Sequence, residues 1–354
     1  MYFLSSEEIT KWQELGNKIV SEDMPPENFD AGIKPFLKPV FLCYAGVKLF
    51  MNNKSELGIK WLREGALDEQ EGLFFNAFLS GFIERQNGKL IMPAVAFEDP
   101  APYIHFAGVP AMETARVNFL DHCAKSLPVF KKPFSILDIG TGDGGLLIRL
   151  LRHLRNAGNI SEIEEIGIVD ASKAMCDMAK EKIAAEFPDI PINAVHSKIQ
   201  DFSEIISRKY DVAMSSLAYH HMPMDDKIRH MKTLEPHIDH FLLFEIEANH
   251  ETPEMDSPEL ITSIYQNYGR MVDYVFSHDA PVDIVVKCVD CFLMTEVASF
   301  LIQPRGVRTD YHMLRTQWYK VFSEGLGNNF KCICDCNANS DQYLNLFTLH
   351  YARG

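Results

Sequence analysis

No run in the 354-residue chain reaches about 18 consecutive apolar residues, so no membrane-spanning helix is expected and a membrane is not an expected partner. The first residues, MYFLSSEEITKWQEL, lack a basic stretch followed by an apolar core and a small-residue cleavage site. A secretory leader is therefore not expected. The eight cysteines are accordingly expected as thiols in a reducing cytoplasm. Basic charge is also scarce, with 34 Lys and Arg against 49 Asp and Glu for a net charge of −15. Basic residues do not cluster beyond short groups such as Lys131-Lys132, and nucleic acid is excluded as an expected partner. Internal repeats and low-complexity tracts are absent. The chain is 47% apolar and 23% charged, an ordinary globular balance for one or two domains.

Residues 1–97 read as helical. Apolar positions recur at helical spacing through Ile9, Trp12, Leu15 and Ile19, and again through Leu57, Trp61 and Leu62. Ser5 and Glu8 have the spacing of a capping box. Pro25-Pro26, Pro35 and Pro39 divide the stretch, and Asp99-Pro100-Ala101-Pro102 interrupts it again before an amphipathic helix from Met112 to Leu127. Strands are then predicted at Phe134 to Asp138, Ile166 to Asp170, Asp211 to Ser215 and Phe241 to Glu245. Helices are predicted at Gly144 to Arg155 and Ser172 to Phe187. Such alternation implies a parallel, doubly wound α/β sheet. Phe330 to Asp335 and Tyr343 to Tyr351, joined through Asn337-Ala338-Asn339-Ser340, read as an antiparallel C-terminal hairpin. The expected organisation is a helical N-terminal cap, 1–97, followed by an α/β domain, 98–354.

The strongest motif is Leu137-Asp138-Ile139-Gly140-Thr141-Gly142-Asp143-Gly144-Gly145. Its glycines let the backbone turn sharply and approach a ligand closely at a helix start. Gly140, Gly142 and Gly145 also satisfy G-x-G-x-x-G, so an NAD(P)-dependent oxidoreductase stays open. Asp138 argues against it, because a carboxylate at the strand end opposes a pyrophosphate but attracts a cation. The loop resembles motif I of the class I S-adenosylmethionine-dependent methyltransferases, a Rossmann-like fold. The resemblance implies S-adenosylmethionine as cofactor, held by Asp138, Gly140, Gly142 and Gly144. Asp170 with Ala171 would follow at the ribose, Gln200 with Asp201 at the adenine from the third-strand end, and Ser216 from the fourth strand. The interval from Asp138 to Asp170 is longer than usual, and Arg155 to Glu165 reads as an extra loop. The plainer reading makes Asp170 a helix cap and the glycines a tight turn.

A narrower resemblance rests on two segments. Pro100-Ala101-Pro102-Tyr103-Ile104-His105-Phe106-Ala107 with Glu113-Thr114-Ala115, and Glu245-Ile246-Glu247-Ala248-Asn249-His250 with Tyr265-Gln266-Asn267-Tyr268 and Val272-Asp273, are similar to GRAS domains. These are methyltransferase-like folds of plant regulators and bacterial relatives. Plant members generally lack an intact glycine loop, so the complete loop favours the bacterial, enzyme-like branch. That branch implies methylation of a small organic molecule. A non-catalytic GRAS-like ligand-binding or scaffold protein is the alternative.

Ser215-Ser216-Leu217-Ala218-Tyr219-His220-His221 follows the fourth strand, where such enzymes meet the methyl acceptor. His220 and His221 are candidate catalytic bases, a histidine having a suitable pKa. Glu245 and Glu247 are the other catalytic candidates, since on one strand they share a face and could bind an amine or raise one another's pKa. Tyr103, His105 and Tyr219 are candidate substrate residues, the first two by alternation. Cys288-x-x-Cys291 and Cys332, Cys334 and Cys336 read as structural thiols, and no metal is expected. Arg305 and Arg308 read as surface charges. The expected activity is methyl transfer to oxygen or nitrogen of a small acceptor, with a homodimer left open.

Overall fold

The computed structural model describes residues 1–92 and 101–354. The expected boundary between 97 and 98, and Asp99-Pro100 of the interruption, lie outside the described residues. In chain order the helices and strands run α1 (Ser6–Ser21), α2 (Lys38–Met51), α3 (Ser55–Leu67), α4 (Phe75–Arg85), α5 (Ala101–Gly108), α6 (Pro110–Ser126), β1 (Phe134–Ile139), α7 (Gly145–Ala157) and β2 (Ile163–Asp170). They continue with α8 (Lys173–Glu186), β3 (Ile192–His196), α9 (Ile199–Ile205), β4 (Tyr210–Ser216), α10 (Met224–Leu234), β5 (Ile238–Glu247) and α11 (Pro258–Ser277). The last are α12 (Val282–Lys287), α13 (Met294–Ile302), α14 (Arg315–Gly325), β6 (Phe330–Ser340) and β7 (Asn345–Arg353). Short 3₁₀ turns and one π-helical stretch, Cys288–Leu293, complete the chain.

The chain divides into two units. One comprises Glu113–Glu247, Tyr311–Ser340 and Asn345–Gly354, and the other Met1–Met112, Ala248–Asp310 and Asp341–Leu344. The division falls inside α6 and adds two later segments to the N-terminal helices, unlike the expected split into 1–97 and 98–354.

The first of these units holds a seven-stranded sheet of order β3-β2-β1-β4-β5-β7-β6. The first five strands are mutually parallel, while β7 runs antiparallel to β5 and β6 antiparallel to β7. This is the expected doubly wound, Rossmann-like sheet with an antiparallel hairpin. Every residue of β1 is buried, as expected for a parallel strand covered on both faces. In α7, Leu147, Leu150, Leu151 and Leu154 form one buried stripe at helical spacing. Strand order reverses between β1 and β4, and ligands of open α/β sheets bind beyond the carboxyl ends at such a point. The supposed extra loop from Arg155 to Glu165 is mostly regular structure, because α7 runs to Ala157 and β2 begins at Ile163. The hairpin turn lies at 341–344, later than expected, since β6 continues through Ser340.

The second unit is helical. Its α2 is buried almost throughout, and Phe41 stacks on Phe29 at 4.9 Å with Trp12 edge-on at 5.3 Å. The Ser5–Glu8 capping box forms as expected. Tyr103 and His105 do not alternate on a strand. They sit in α5, where positions two apart point to different sides, and His105 is buried with Nε2 3.1 Å from the Val275 carbonyl. Arg308 is likewise no surface charge, being buried with its guanidinium donating to the His250 and Pro253 carbonyls.

Candidate functional site

The glycine loop leaves β1 at the switch point. Gly140, Gly142 and Gly144 take φ of 75°, 55° and 75°, values that other residues adopt only under strain. At Gly140 a Cβ would come 2.2 Å from the Ala218 Cβ, so this glycine also permits the β1 and β4 exits to meet. The carboxylate of Asp170, at the end of β2, accepts from the Gly142 N–H at 2.9 Å and the Ser172 N–H at 2.8 Å. Asp170 is not itself the cap of α8, which is Ser172 with its hydroxyl accepting from the Met175 N–H; Asp170 ties the glycine loop to that cap residue. Each of those oxygens keeps a further lone pair.

Asp138 is buried in β1. The Thr141 hydroxyl donates to Oδ2 at 2.9 Å, while Oδ1 has no hydrogen-bond partner among the described residues. Burial pushes its pKa up to about 7; the Thr141 hydrogen bond opposes that rise and the Asp170 charge adds to it. Asp170 is raised as well, by burial, against its two backbone hydrogen bonds. Sequence reasoning singled out Asp138 and overlooked Thr141, whose only signal is its place between two glycines.

The third strand ends earlier than expected. The third strand ends at His196, and Gln200 and Asp201 lie beyond it in the first turn of α9, Gln200 half-buried and Asp201 exposed. Ala171 is exposed just past β2, and Ser216 is half-buried as the last residue of β4.

Beyond β4 the chain makes a tight exit. Leu217 adopts φ 51°, a strained conformation for a bulky residue, with its N–H donating to the Phe244 carbonyl at 2.9 Å. A 3₁₀ turn then covers Tyr219–His221. Glu245, fully buried in β5, receives this turn: its Oε1 accepts the N–H of Tyr219 at 3.0 Å and of His220 at 3.3 Å, and its Oε2 lies 3.0 Å from His220 Nδ1. Burial raises the Glu245 pKa, opposed by His312, Lys227 and His221. His220 is buried and stacks on His312 with ring centroids 4.2 Å apart, whereas His221 is exposed.

Two expectations for this region change. Glu247 does share a face with Glu245, but its carboxylate accepts from the Arg315 N–H at 3.0 Å and the Asn345 amide at 2.6 Å, and burial rather than Glu247 raises Glu245. Tyr219 is packed in the core, its hydroxyl 2.6 Å from His230 Nδ1 and its ring edge-on to Phe241. Burial holds His230 near 3, so it stays neutral and fit to accept that hydroxyl. His312 was missed, because nothing in the local sequence marks it as a neighbour of His220.

Residues 136–238 match the family model described as a methyltransferase domain. No curated protein matches the chain. Among solved structures, the cyclopropane synthase MmaA2 of Mycobacterium tuberculosis is similar at 11% identity and a TM-score of 0.46, over 74% of this chain and 99% of that one. The magnesium protoporphyrin IX methyltransferase of Synechocystis PCC 6803, crystallised with S-adenosylmethionine, is similar at 13% identity and a TM-score of 0.40, over 71% and 91%. An S-adenosylmethionine-dependent methyltransferase of Clostridium acetobutylicum ATCC 824 is similar at 11% identity and a TM-score of 0.42, over 71% and 97%. The matched stretch, 136–238, runs from the glycine-loop strand to the start of β5, and there the chain is similar to a methyltransferase domain.

Proposed function

We propose that the protein transfers the methyl group of S-adenosylmethionine to an oxygen or nitrogen of a small organic molecule. Asp138 is the observation that carries this reading. A buried carboxylate with an unsatisfied oxygen, beside three left-handed glycines at the switch point, suits a cationic amino group and repels a pyrophosphate. Gly140, Gly142 and Gly144 give the backbone its close approach, Asp170 and Ala171 take the ribose, and Gln200 and Ser216 flank the remainder. The exposed Asp201 is left out of this set. When bound, S-adenosylmethionine supplies an activated methyl group on a sulfonium, which is a good leaving group. The protein's own task is then alignment, which can contribute roughly 7–11 kcal/mol. On the acceptor side we assign the pair His220–Glu245, whose part is to remove or disperse the proton that the acceptor loses.

Calorimetric titration of the ligand-stripped protein with S-adenosylmethionine, with NAD as control, tests the cofactor. Binding of S-adenosylmethionine that weakens about tenfold or more in Asp138→Asn (about 1.4 kcal/mol) is expected. Binding of NAD alone overturns the assignment. A mass-spectrometric screen over phenols, carboxylic acids and amines tests transfer, and tight cofactor binding with no methylated product would replace the enzyme by a ligand sensor.

A further inference from the structure

We propose that His220, Glu245 and His312 form a binding site for a divalent first-row transition-metal ion. Each offers one ligand atom, and the three atoms lie within 4.8 Å of one another. All three side chains are buried, with relative exposures of 5%, 0% and 2%. Ligand atoms around a tetrahedral ion, at about 2.0–2.2 Å from it, stand about 3.3–3.5 Å apart. The 3.0 Å between His220 Nδ1 and Glu245 Oε2 is therefore close to what an ion would require.

The three segments that bring the ligands hold one another in place. Two backbone N–H groups hold Glu245 through Oε1, leaving Oε2 turned toward His220. His220 rides on the turn that those N–H groups anchor, and the neighbouring Tyr311 N–H donates to the His220 carbonyl, which places His312 beside it. A preorganised arrangement of this kind spares the ion most of the ordering cost. Two imidazoles and one carboxylate are the donor set of sites that keep open coordination positions for a further ligand.

The donor set also selects the class of ion. Lys227 is buried nearby, its ammonium 2.8 Å from the Tyr311 carbonyl, and its charge acts on Glu245. A second positive charge there opposes ions held by charge alone, such as magnesium or calcium. Imidazole nitrogens favour zinc, cobalt(II) or iron(II) instead. This inference rests on the acceptor-side reading above and changes the part of the pair: an ion on the triad would bind the acceptor heteroatom and lower its pKa, so that its proton would pass to solvent water while His220 and Glu245 serve as ligands.

The test uses the full chain, stripped with a chelator and titrated with zinc and separately with cobalt(II). Cys332, Cys334 and Cys336 are thiols that could capture zinc on their own, so the protein with all three changed to Ser is measured alongside. One equivalent of zinc is expected in both proteins, with cobalt(II) giving the visible absorption of a four-coordinate site. Zinc affinity should fall by at least about tenfold in His312→Ala and in His312→Gln, with melting curves confirming a folded protein. No stoichiometric uptake, uptake unchanged in both His312 variants, or uptake lost with the three cysteines would each overturn the site. Titration with S-adenosylmethionine on the same samples separates the two readings. Cofactor binding without metal uptake removes only the ion, and metal uptake without cofactor binding removes only the cofactor.

Discussion

Two buried carboxylates mark the carboxyl edge of the sheet, Asp138 on β1 and Glu245 on β5, with β4 between them. Desolvation raises both. They differ in what surrounds them. The oxygens of Glu245 are engaged by two backbone N–H groups and a histidine of the same unit, whereas Asp138 has one oxygen held by Thr141 and one with no partner among the described residues. Glu245 is part of how the loop after β4 is built. Asp138 bears a desolvation cost that its own chain does not repay, and a bound cation would repay it. Burial alone does not tell these two carboxylates apart; the lone pair that Asp138 leaves unmatched among the described residues does.

The largest test of the contrast strikes the loop around Asp138. Gly140→Ala should abolish S-adenosylmethionine binding and lower stability by more than about 3 kcal/mol, since left-handed strain adds to a Cβ contact at 2.2 Å. Gly158→Ala, also left-handed but with nothing within 4 Å, should cost only about 1–2 kcal/mol in denaturant unfolding. Next come the carboxylates themselves. Glu245→Gln should destabilise by about 1–3 kcal/mol, because a buried network loses its charge. Asp138→Asn should leave the protein at least as stable at pH 8 while weakening cofactor binding about tenfold or more. If both variants lose stability alike, the distinction fails.

A third test is pH. With a pKa near 7, Asp138 is mostly neutral at about pH 6 and mostly charged at about pH 8, so affinity for the cationic cofactor should rise about tenfold across that span. Its folded-state pKa lies above the ordinary 3.8. The contribution of this group to stability is therefore fullest below about pH 4 and is lost as pH rises toward 7. Ligand-free stability and affinity should thus move in opposite directions, and Asp138→Asn should flatten both profiles. The smallest effect belongs to Asp201→Ala, an exposed position on α9, which should shift stability by less than about 0.5 kcal/mol and affinity by less than twofold in calorimetry.

The sheet could be read from the sequence because buried parallel strands are short apolar runs, and β1, β2, β4 and β5 all contain one. β3 lacked that mark: Ile192 to His196 is only partly buried and carries Asn193 and His196. Its absence from the prediction placed the third-strand end at Asp201, past the true end at His196. Asp138 was legible because an acid before a glycine loop is a local pattern, and Gly140 because its need for a left-handed backbone is intrinsic. His312 was not, since its value comes from stacking on His220 across a long stretch of chain. Tyr219 and His220 are adjacent in sequence, yet a 3₁₀ turn sends one ring into the core against His230 and the other toward Glu245. Period-based reading has no means to separate such neighbours. The same blindness assigned Tyr103 and His105 to an alternating strand when both lie on α5.

The helical unit draws on three separate stretches of chain, the last being Asp341–Leu344. There Asp341 accepts from the Arg270 guanidinium at 2.6 Å and the Tyr274 hydroxyl at 2.6 Å, and the Tyr343 carbonyl accepts from the Asn267 amide. On the ribosome, which feeds the chain out from its N-terminus, α1 to α4 therefore emerge long before the partners that complete their unit. Their unit lacks these contacts until residues 341–344 have followed. Deleting residues 341–344 should consequently weaken the helical unit, through α11, as well as the two strands that flank them.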